Sequence, residues 1–369
     1  MSSSTKPDPA ADGLVARAQR RWRSRQLDDT EEGYRQRAEL QARKLGPDHP
    51  KTLITRGKHA IALRSLGRVE EAEKELAEVV TGLAAIGADH PDTLKMRHLH
   101  CLVLTDLERF GEAEPELRLL AAAESRVLGY RHSDTLDDQA LHALALFELG
   151  QMREAEAKFA DVSATQAIVT GADDARTLMW RAFHGVVLTE LGRFGEAEAE
   201  LRDVAEARGR ISGPDHRDTL VVRCRLAAAV REQGRAEEAE AELSEVAAGL
   251  RLVRGEDHRD TLSAHGQHAL ALRQMGRAEE AEAELSEVVA GLTAACGDDD
   301  PVTLRYRAWH GVLLHDLGRL DLAQAELSAA VEALTRVQGA DHPSTLRHRG
   351  HLADLLRDLG DPGDADHNA

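Results

Sequence analysis

The chain has 369 residues, of which 42% are hydrophobic and 30% are charged, so it is too apolar for a generally disordered protein. Its net charge of −18 argues against a nucleic-acid partner, because binding to a phosphate backbone needs a basic face. Only 3% of the residues are aromatic, so the core must be aliphatic and a platform that stacks bases is not expected. The 3 cysteines are widely separated and support neither a disulfide framework nor a CxxC metal site.

The amino-terminal part predicts a polar tail followed by a weak helix pair. The opening letters, MSSSTKPDPAADG, lack the apolar region of a secretory signal. Residues 1–12 are expected to be disordered, and residues 13–49 to form a degenerate capping helix pair. Its helices are predicted at Leu14–Gln26 and Glu31–Leu45. No later stretch approaches 18 apolar residues, so we expect a cytoplasmic protein without a membrane partner. High arginine and alanine contents with little lysine favour a bacterial source.

From residue 50 onwards the sequence repeats every 41 or 42 residues. Each unit begins with the dipeptide Thr-Leu, has Gly 15 residues later, and has Ala 5 residues after that Gly. Glu108 replaces the Gly in the second unit. The threonines are Thr52, Thr93, Thr135, Thr177, Thr219, Thr261, Thr303 and Thr345. Three anchors in register over this length identify an internal repeat.

Each unit predicts two helices. In the second helix of one unit, Ala197, Leu201 and Val204 are spaced four and three residues apart, as on one face of a helix. The Gly between the helices suits a left-handed helix end. In closing segments such as GPDHP at 46–50, we expect Gly to end one helix and Asp to cap the next.

A helix pair of this kind buries its apolar face only against neighbouring pairs, which predicts one elongated, all-α solenoid. We expect seven helix pairs over residues 50–344. A polar capping helix is expected at 345–360, and a disordered tail at 361–369.

The units resemble tetratricopeptide repeats, in the 42-residue form typical of kinesin light chains and many bacterial arrays. The resemblance is carried by small residues in the first helix such as Gly185, the Gly between the helices, the Ala of the second helix, and the D-H-P linker. It implies a right-handed superhelix of antiparallel helix pairs whose concave face binds peptides or partner proteins. The asparagine pairs of the kinesin-light-chain groove and the family's carboxylate clamp do not occur at the equivalent positions, so neither ligand type is carried over.

Counting the repeat Thr as zero, positions 2, 5, 6, 9, 12 and 13 of the first helix are expected to face the groove. Apolar residues at positions 6 and 9 form a strip across three consecutive units and recur in the unit of Trp309. The predicted partner-binding groove comprises Leu99, Leu102, Leu141, Leu144, Phe183, Val186, Arg225, Trp309 and Val312. Specificity is assigned to Arg225, Lys95, Arg305 and nearby acids. Alternatively, these side chains only pack against neighbouring first helices.

Two further positions repeat. Position 7 is His59, His100, His142, His184, His268 and His310 in six units. Packed helix axes lie about 8–10 Å apart, whereas Zn–N bonds are about 2.0–2.1 Å, so these histidines are interpreted as structural rather than as metal ligands. Position 4 is usually Arg, and we expect it to pair with the acid that directly follows the Ala of the second helix, such as Glu73 or Glu198.

The sequence contains no phosphate-binding loop, dinucleotide-binding motif or hydrolase nucleophile motif. No catalytic residue, cofactor or metal is predicted. The leading function is a non-enzymatic scaffold that binds a peptide or partner protein in its concave groove. The alternative is a regulatory sensor that binds a small molecule or signalling peptide and acts through a partner. A self-assembling array is a third interpretation, against which the polar capping helix argues.

Overall fold

A computed structural model describes residues 30–360 of the protein. The predicted tails and the predicted helix at Leu14–Gln26 lie outside the described residues. Within residues 30–360 the chain forms 16 α-helices and no strand, which confirms the all-α solenoid prediction. The helices divide into two compact units, residues 1–141 and 142–369, and the division falls inside the sixth helix. None of the described helices is long and apolar enough to cross a membrane.

Unit 1 consists of five helices and the first half of a sixth. They are α1 (Glu31–Leu45), α2 (Pro50–Ser65), α3 (Val69–Leu83), α4 (Pro91–Asp106), α5 (Phe110–Val127) and α6 (Ser133–Glu148), with a 3₁₀ turn at Ala84–Ile86. From α1 to α5, each helix packs against the next, and α2 also packs against α4.

Unit 2 contains the rest of α6 and ten further helices. They are α7 (Met152–Thr170), α8 (Ala175–Glu190), α9 (Phe194–Ser212), α10 (Arg217–Glu232), α11 (Ala236–Arg254), α12 (Arg259–Gln274), α13 (Ala278–Cys296), α14 (Pro301–Asp316), α15 (Leu320–Gln338) and α16 (Pro343–Gly360). The first helices α8, α10, α12, α14 and α16 pack on one another in that order, so they form one shared face of the unit.

The recurring Ala and Thr each have a packing role. In each helix pair, the Ala of the second helix is fully buried, and so is the large apolar residue four positions later, for example Ala239 and Leu243. In five of the eight units the Thr hydroxyl donates a hydrogen bond to the carbonyl of the Gly that follows the preceding helix, as in Thr219 to Gly213 at 2.9 Å. This bond satisfies a carbonyl that the helix leaves without a partner.

The residue that caps each first helix differs from the prediction. In most units the capping group is the His of the D-H-P linker or of a variant such as D-H-R, and its Nδ1 accepts a hydrogen bond from the backbone N–H two residues later, as in His216 at 3.3 Å. Asp takes this position in two units, as Asp174 and Asp300. The expectation that the Asp of D-H-P is the cap is therefore wrong, because the helix begins one residue later than that Asp allows.

Glu108 occupies the position that is Gly in the other units, and its φ of 56° lies in the left-handed region. Such a conformation destabilises the folded state by about 1–3 kcal/mol when the residue has a Cβ. Replacement by Gly removes this strain, but part of the gain is offset because Gly loses more chain entropy on folding. We expect Glu108→Gly to raise the free energy of unfolding by about 0.5–1 kcal/mol. Urea denaturation followed by circular dichroism measures the change.

The reciprocal control is Gly192→Ala. Gly192 has a φ of 74° and an added Cβ would meet no atom within 4 Å, so backbone strain is the main penalty. The free energy of unfolding of this variant should be about 1 kcal/mol lower than that of the parent. A Glu108→Gly protein less stable than the parent would contradict the strain at residue 108.

Candidate functional site

The first helices of unit 2 surround a cavity of about 340 Å³, a volume in the range of small-ligand pockets. Its lining comes from α6, α8, α10, α12, α14 and α16, with one residue from α11. Phe147, Phe183, Tyr306 and Trp309 contribute aromatic surface. Arg225, Arg231, Arg305 and Arg347 contribute positive charge, and Glu148, Glu190, Glu232 and Asp260 contribute acids. The cavity therefore combines apolar walls with several charged groups.

Aromatic packing fixes one wall of the cavity. The rings of Phe183 and Phe159 stack with their centres 5.7 Å apart, and Trp180 lies 6.0 Å from Phe183. Phe159 is fully buried and supports the ring of Phe183, which lines the cavity. Such ring pairs add about 0.5–1.5 kcal/mol beyond the area that they bury.

Tyr306 forms a second rigid wall. Its ring is 1% exposed, and its hydroxyl donates to the backbone carbonyl of Ser263 at 2.8 Å. The same oxygen accepts a hydrogen bond from Nε2 of Gln267 at 3.2 Å. Burial raises the pKa of this hydroxyl, so the group stays protonated and is committed to positioning the ring.

Two cavity arginines are stacked on aromatic rings. The guanidinium carbon of Arg225 lies 5.0 Å from the centre of the Phe183 ring, and that of Arg305 lies 5.5 Å from the Tyr306 ring. Among the described residues, neither guanidinium forms a hydrogen bond or an ion pair with a carboxylate. Burial lowers the pKa of Arg225, which remains a cation at neutral pH.

The other two cavity arginines have acidic partners. Arg347 Nη2 lies 3.1 Å from Glu190 Oε2, and Arg231 Nη2 lies 2.6 Å from Glu232 Oε1. Arg231 is only 5% exposed, and its Nε has no hydrogen-bond partner among the described residues. Burial lowers the pKa of Arg231 as well.

The start of α16 closes one side of the cavity. A Cβ built on Gly150, in the turn after α6, would lie 3.2 Å from both Cα of His342 and Cδ of Pro343. The Arg347–Glu190 ion pair joins α16 to α8 at the cavity lining. The last helix of unit 2 therefore contacts the first elements of the same unit.

The structure brings together part of the predicted groove. Phe183, Val186, Arg225 and Trp309 line the cavity, as does Arg305, to which specificity was assigned. Leu144 is half-buried and Val312 is 3% exposed in the core, so neither lines the cavity. Leu99, Leu102 and Leu141 are half-buried in unit 1, and Lys95 is exposed there.

Sequence reasoning did not single out Arg231, Arg347 or Tyr306. Arg231 stands at position 12 and Arg347 at position 2 of their units. Both positions were predicted to face the groove, so the repeat pattern could have identified these two residues. Tyr306 stands at position 3, which was not a predicted groove position, and no sequence signal indicated it.

The repeated histidines contact acids of second helices. His59, His268 and His310 place Nδ1 2.5–2.7 Å from a Glu carboxylate 16 residues later. The hydrogen bond to Glu284, together with its charge, raises the pKa of His268 against the effect of burial. No group of three or more potential ligands among residues 30–360 could hold a metal ion. These contacts agree with the structural interpretation of position 7.

The repeated Arg–Glu pairs exist, but with a different acid from the one predicted. The Arg at position 4 pairs with the Glu three residues after the Ala, as in Arg223 Nε to Glu242 Oε1 at 2.6 Å. The Glu directly after the Ala instead meets an Arg of the next unit, as in Glu198 with Arg235 at 2.9 Å. The prediction was wrong because the residue next to the Ala points along the stack, towards the following helix pair.

Comparison with known proteins agrees with this architecture. A family model described as "Tetratricopeptide repeat" matches residues 174–251, 218–294 and 303–368, which together cover half of the chain. No curated protein matches the sequence. Two solved structures are similar to this one. They are the apo form of the quorum sensor NprR from B. thuringiensis and a Rap protein complexed with competence and sporulation factor.

The NprR structure has a TM-score of 0.59 and 13% identity, and the match covers 78% of this chain and 77% of that chain. The Rap structure has a TM-score of 0.56 and 12% identity, with 85% and 87% covered. A tetratricopeptide repeat protein from Parabacteroides merdae has a TM-score of 0.55 and 13% identity, with 83% and 98% covered. At these identities the matches show a shared fold. With the family match over half of its length, the chain belongs to the tetratricopeptide repeat family.

Proposed function

We propose that this protein is a non-enzymatic scaffold of the bacterial cytoplasm that binds a short segment of a peptide or partner protein in the cavity of unit 2. The observation that carries the proposal is the cavity itself, in which Phe183 and Trp309 offer apolar surface beside the uncommitted cation Arg225. Aromatic and arginine side chains are the residue types that most often dominate binding energy at protein interfaces. The net charge of −18 supports a protein ligand over a nucleic acid.

The size of the cavity limits the ligand. A volume of about 340 Å³ accommodates a few side chains and is too small for a long extended segment. We therefore expect a short motif or the end of a chain to enter the cavity. The predicted organisation, with caps at 13–49 and 345–360 around helix pairs at 50–344, remains part of this proposal.

A sensor of a small molecule or signalling peptide is a second candidate function. The observation that favours it is the contact of α16 with α8 through Arg347 and Glu190 at the edge of the cavity. A ligand that altered this ion pair would change the position of α16 and so pass its presence to a partner. Among proteins of similar fold, the Rap protein was solved in complex with competence and sporulation factor, and NprR is a quorum sensor.

The proposal can be tested with a degenerate pool of short peptides. The protein is incubated with the pool and separated from free peptide by gel filtration, and the retained peptides are identified by mass spectrometry. We expect a restricted set to be retained by the parent protein and lost by Phe183→Asp. Ala228→Trp should also lose them, because it fills the cavity from a lining position without removing the ring stack behind Phe183.

The matched control is Leu252→Asp, which introduces the same charge at an 84% exposed site on α11 outside the cavity. Circular dichroism should show unchanged helix content in each variant. Retention of the same peptides by all four proteins, or of none by the parent, would reject the cavity as a peptide site. If the sensor function holds, bound peptide should also change hydrogen exchange in α16.

A further inference from the structure

The last described helix, α16, exposes a face that the other first helices bury. In the seven preceding units, the leucine at position 1 is at most 8% exposed and the apolar residue at position 11 is at most 4% exposed. The equivalent residues of α16, Leu346 and Leu356, are 50% and 45% exposed. Ala353 at position 8 lies on the same side of the helix and is also exposed. The opposite side of α16, which includes His348 and Leu355, is buried.

In the other units this face is covered by the second helix of the same unit. At position 1 of α10, Cδ1 of Leu220 lies 3.0 Å from the place of a Cβ built on Gly249 of α11. At position 8 of α8, a Cβ built on Gly185 would lie 2.6 Å from Cγ of Leu201 on α9. Among residues 30–360, α16 has no second helix of its own unit, so the same positions stay open.

The open face also carries an arginine without an acidic partner. Arg349, at position 4, is exposed and forms no hydrogen bond or ion pair within the described part of the chain. In four other units this arginine pairs with the Glu at position 23, on the second helix, as in Arg181 Nε to Glu200 Oε1 at 2.7 Å. In the last unit, positions 23 and 24 are Asn368 and Ala369, whereas six of the seven preceding units have Glu and Leu there. These two residues supply neither the acid nor the large apolar side chain.

From this unmatched half of a helix pair, we propose that α16 binds an acidic amphipathic helix of a partner protein. The partner helix has the pattern of this chain's own second helices, Ala-x-x-Glu-Leu-x-x-Val, as in α11 from Ala239 to Val246. Its Glu pairs with Arg349, and its Leu packs on Ala353 beside the exposed leucines of α16. Binding of this kind lays the apolar face of a helix against an apolar surface and adds a charge pair that fixes the register.

The charges of α16 disfavour a second copy of this chain as the occupant. Two α16 helices placed face to face would bring Arg349 and Arg357 of both copies together. The two acids of α16 are already paired, Asp354 with Arg357 at 3.0 Å and Asp358 with His315 at 2.9 Å. The second helices of a second copy are not available either, because the Ala and the large apolar residue of their pattern are fully buried. A separate, acidic helix therefore fits the face best.

The test uses the chain's own α11 as the probe, because this helix has the required pattern. A labelled peptide of residues 236–254 is titrated with the full chain, and binding is followed by fluorescence anisotropy. We expect saturable binding at one site per chain. The Glu242→Arg and Leu243→Asp peptides should each bind about tenfold more weakly or worse. The control peptide is Glu237→Arg, which changes an exposed position of α11 and should bind like the parent peptide.

Matching variants of the protein test the face itself. Leu346→Asp and Arg349→Glu should each weaken binding of the parent peptide by about tenfold or more. Arg349→Glu should recover binding with the Glu242→Arg peptide, because the exchange restores an opposite-charge pair. The control is Ile211→Asp, which introduces a charge at a 57% exposed site on α9 and should bind like the parent. All the changed side chains are exposed, so circular dichroism should show the same helix content in each variant.

Three results would overturn the proposal. The first is no saturable binding by the parent, or binding that Leu346→Asp and Arg349→Glu leave unchanged. The second is the absence of recovery when the two charges are exchanged. The third is a parent dimer in analytical ultracentrifugation that Leu346→Asp dissociates, because a second copy would then occupy the face. Phe183→Asp, which is aimed at the cavity, should bind the α11 peptide like the parent, so this test and that of the proposed function can fail separately.

Discussion

Gly266→Ala is expected to lower the free energy of unfolding by about 1–3 kcal/mol, although the same change in an open helix is usually stabilising. A Cβ at this position would lie 2.3 Å from Cε1 and 2.5 Å from Cζ of Tyr306. The ring cannot move away cheaply, because it is 1% exposed and its hydroxyl is bonded to Ser263 and Gln267. Thermal and urea denaturation followed by circular dichroism measure the effect.

Two controls separate this clash from a general effect of replacing Gly. Gly350→Ala makes the same change inside α16, where an added Cβ meets no atom within 4 Å. It should raise the free energy of unfolding by up to about 1 kcal/mol. In a Tyr306→Ala background, Gly266→Ala should become neutral or stabilising, because the clashing ring is gone. An equal loss in both backgrounds would show that the two residues are not coupled.

This pair explains a pattern that the sequence showed without its cause. Position 5 of the first helix is nearly always small, and helical spacing predicts that it faces the groove. The structure shows that position 5 also packs against position 3 of the next unit, as Gly266 does against Tyr306 and Gly57 against Met96. Where position 5 is Cys224, the apolar cluster it joins contains the small Ala264 at position 3 of the next unit. Periodicity predicts which faces meet, but not how sizes are matched between units.

Much of the cavity lining follows from the same periodicity. Positions 2, 5, 6, 9, 12 and 13, chosen from helical spacing, include almost all of its residues, among them Phe183, Arg231 and Arg347. The closure of the cavity could not be predicted in this way. It depends on the contact of α16 with Gly150 and Glu190, which are more than 150 residues away in the chain. Such a contact arises from small rotations summed over several units, which one sequence does not specify.

Unit 1 contains a buried acidic pair that the repeat pattern also did not reveal. Glu124 on α5 is 3% exposed and Asp138 on α6 is fully buried, and each has one carboxylate oxygen without a donor among the described residues. Burial, followed by the charge of Asp138, raises the pKa of Glu124 well above its ordinary value. His98 Nδ1 lies 2.6 Å from Asp138 Oδ1. Burial opposes a charge on His98, but this hydrogen bond and the charge of Asp138 outweigh burial and raise the pKa of His98.

Both shifts make unit 1 less stable as the pH rises. A proton on Glu124 is held more tightly in the folded chain than in the unfolded chain, so the stabilisation is present at low pH. It is lost as the pH rises from about 4.5, where an unfolded Glu titrates, through the raised pKa of the folded state. The raised pKa of His98 has the same sign, and its contribution is lost above the usual range of His.

Glu124→Gln should therefore stabilise unit 1 in mildly alkaline solution, by about 1–3 kcal/mol relative to the parent at pH 8.5. The amide keeps the size of the side chain and can donate to Asp138 without carrying a charge. The difference between variant and parent should shrink steadily as the pH falls towards 5, and urea denaturation across this range measures it. Glu112→Gln, an exposed change on the same helix, should track the parent over that range. A constant difference between Glu124→Gln and the parent from pH 5 to 8.5 would mean that Glu124 does not titrate there, and the buried pair would then have no part in the pH dependence of unit 1.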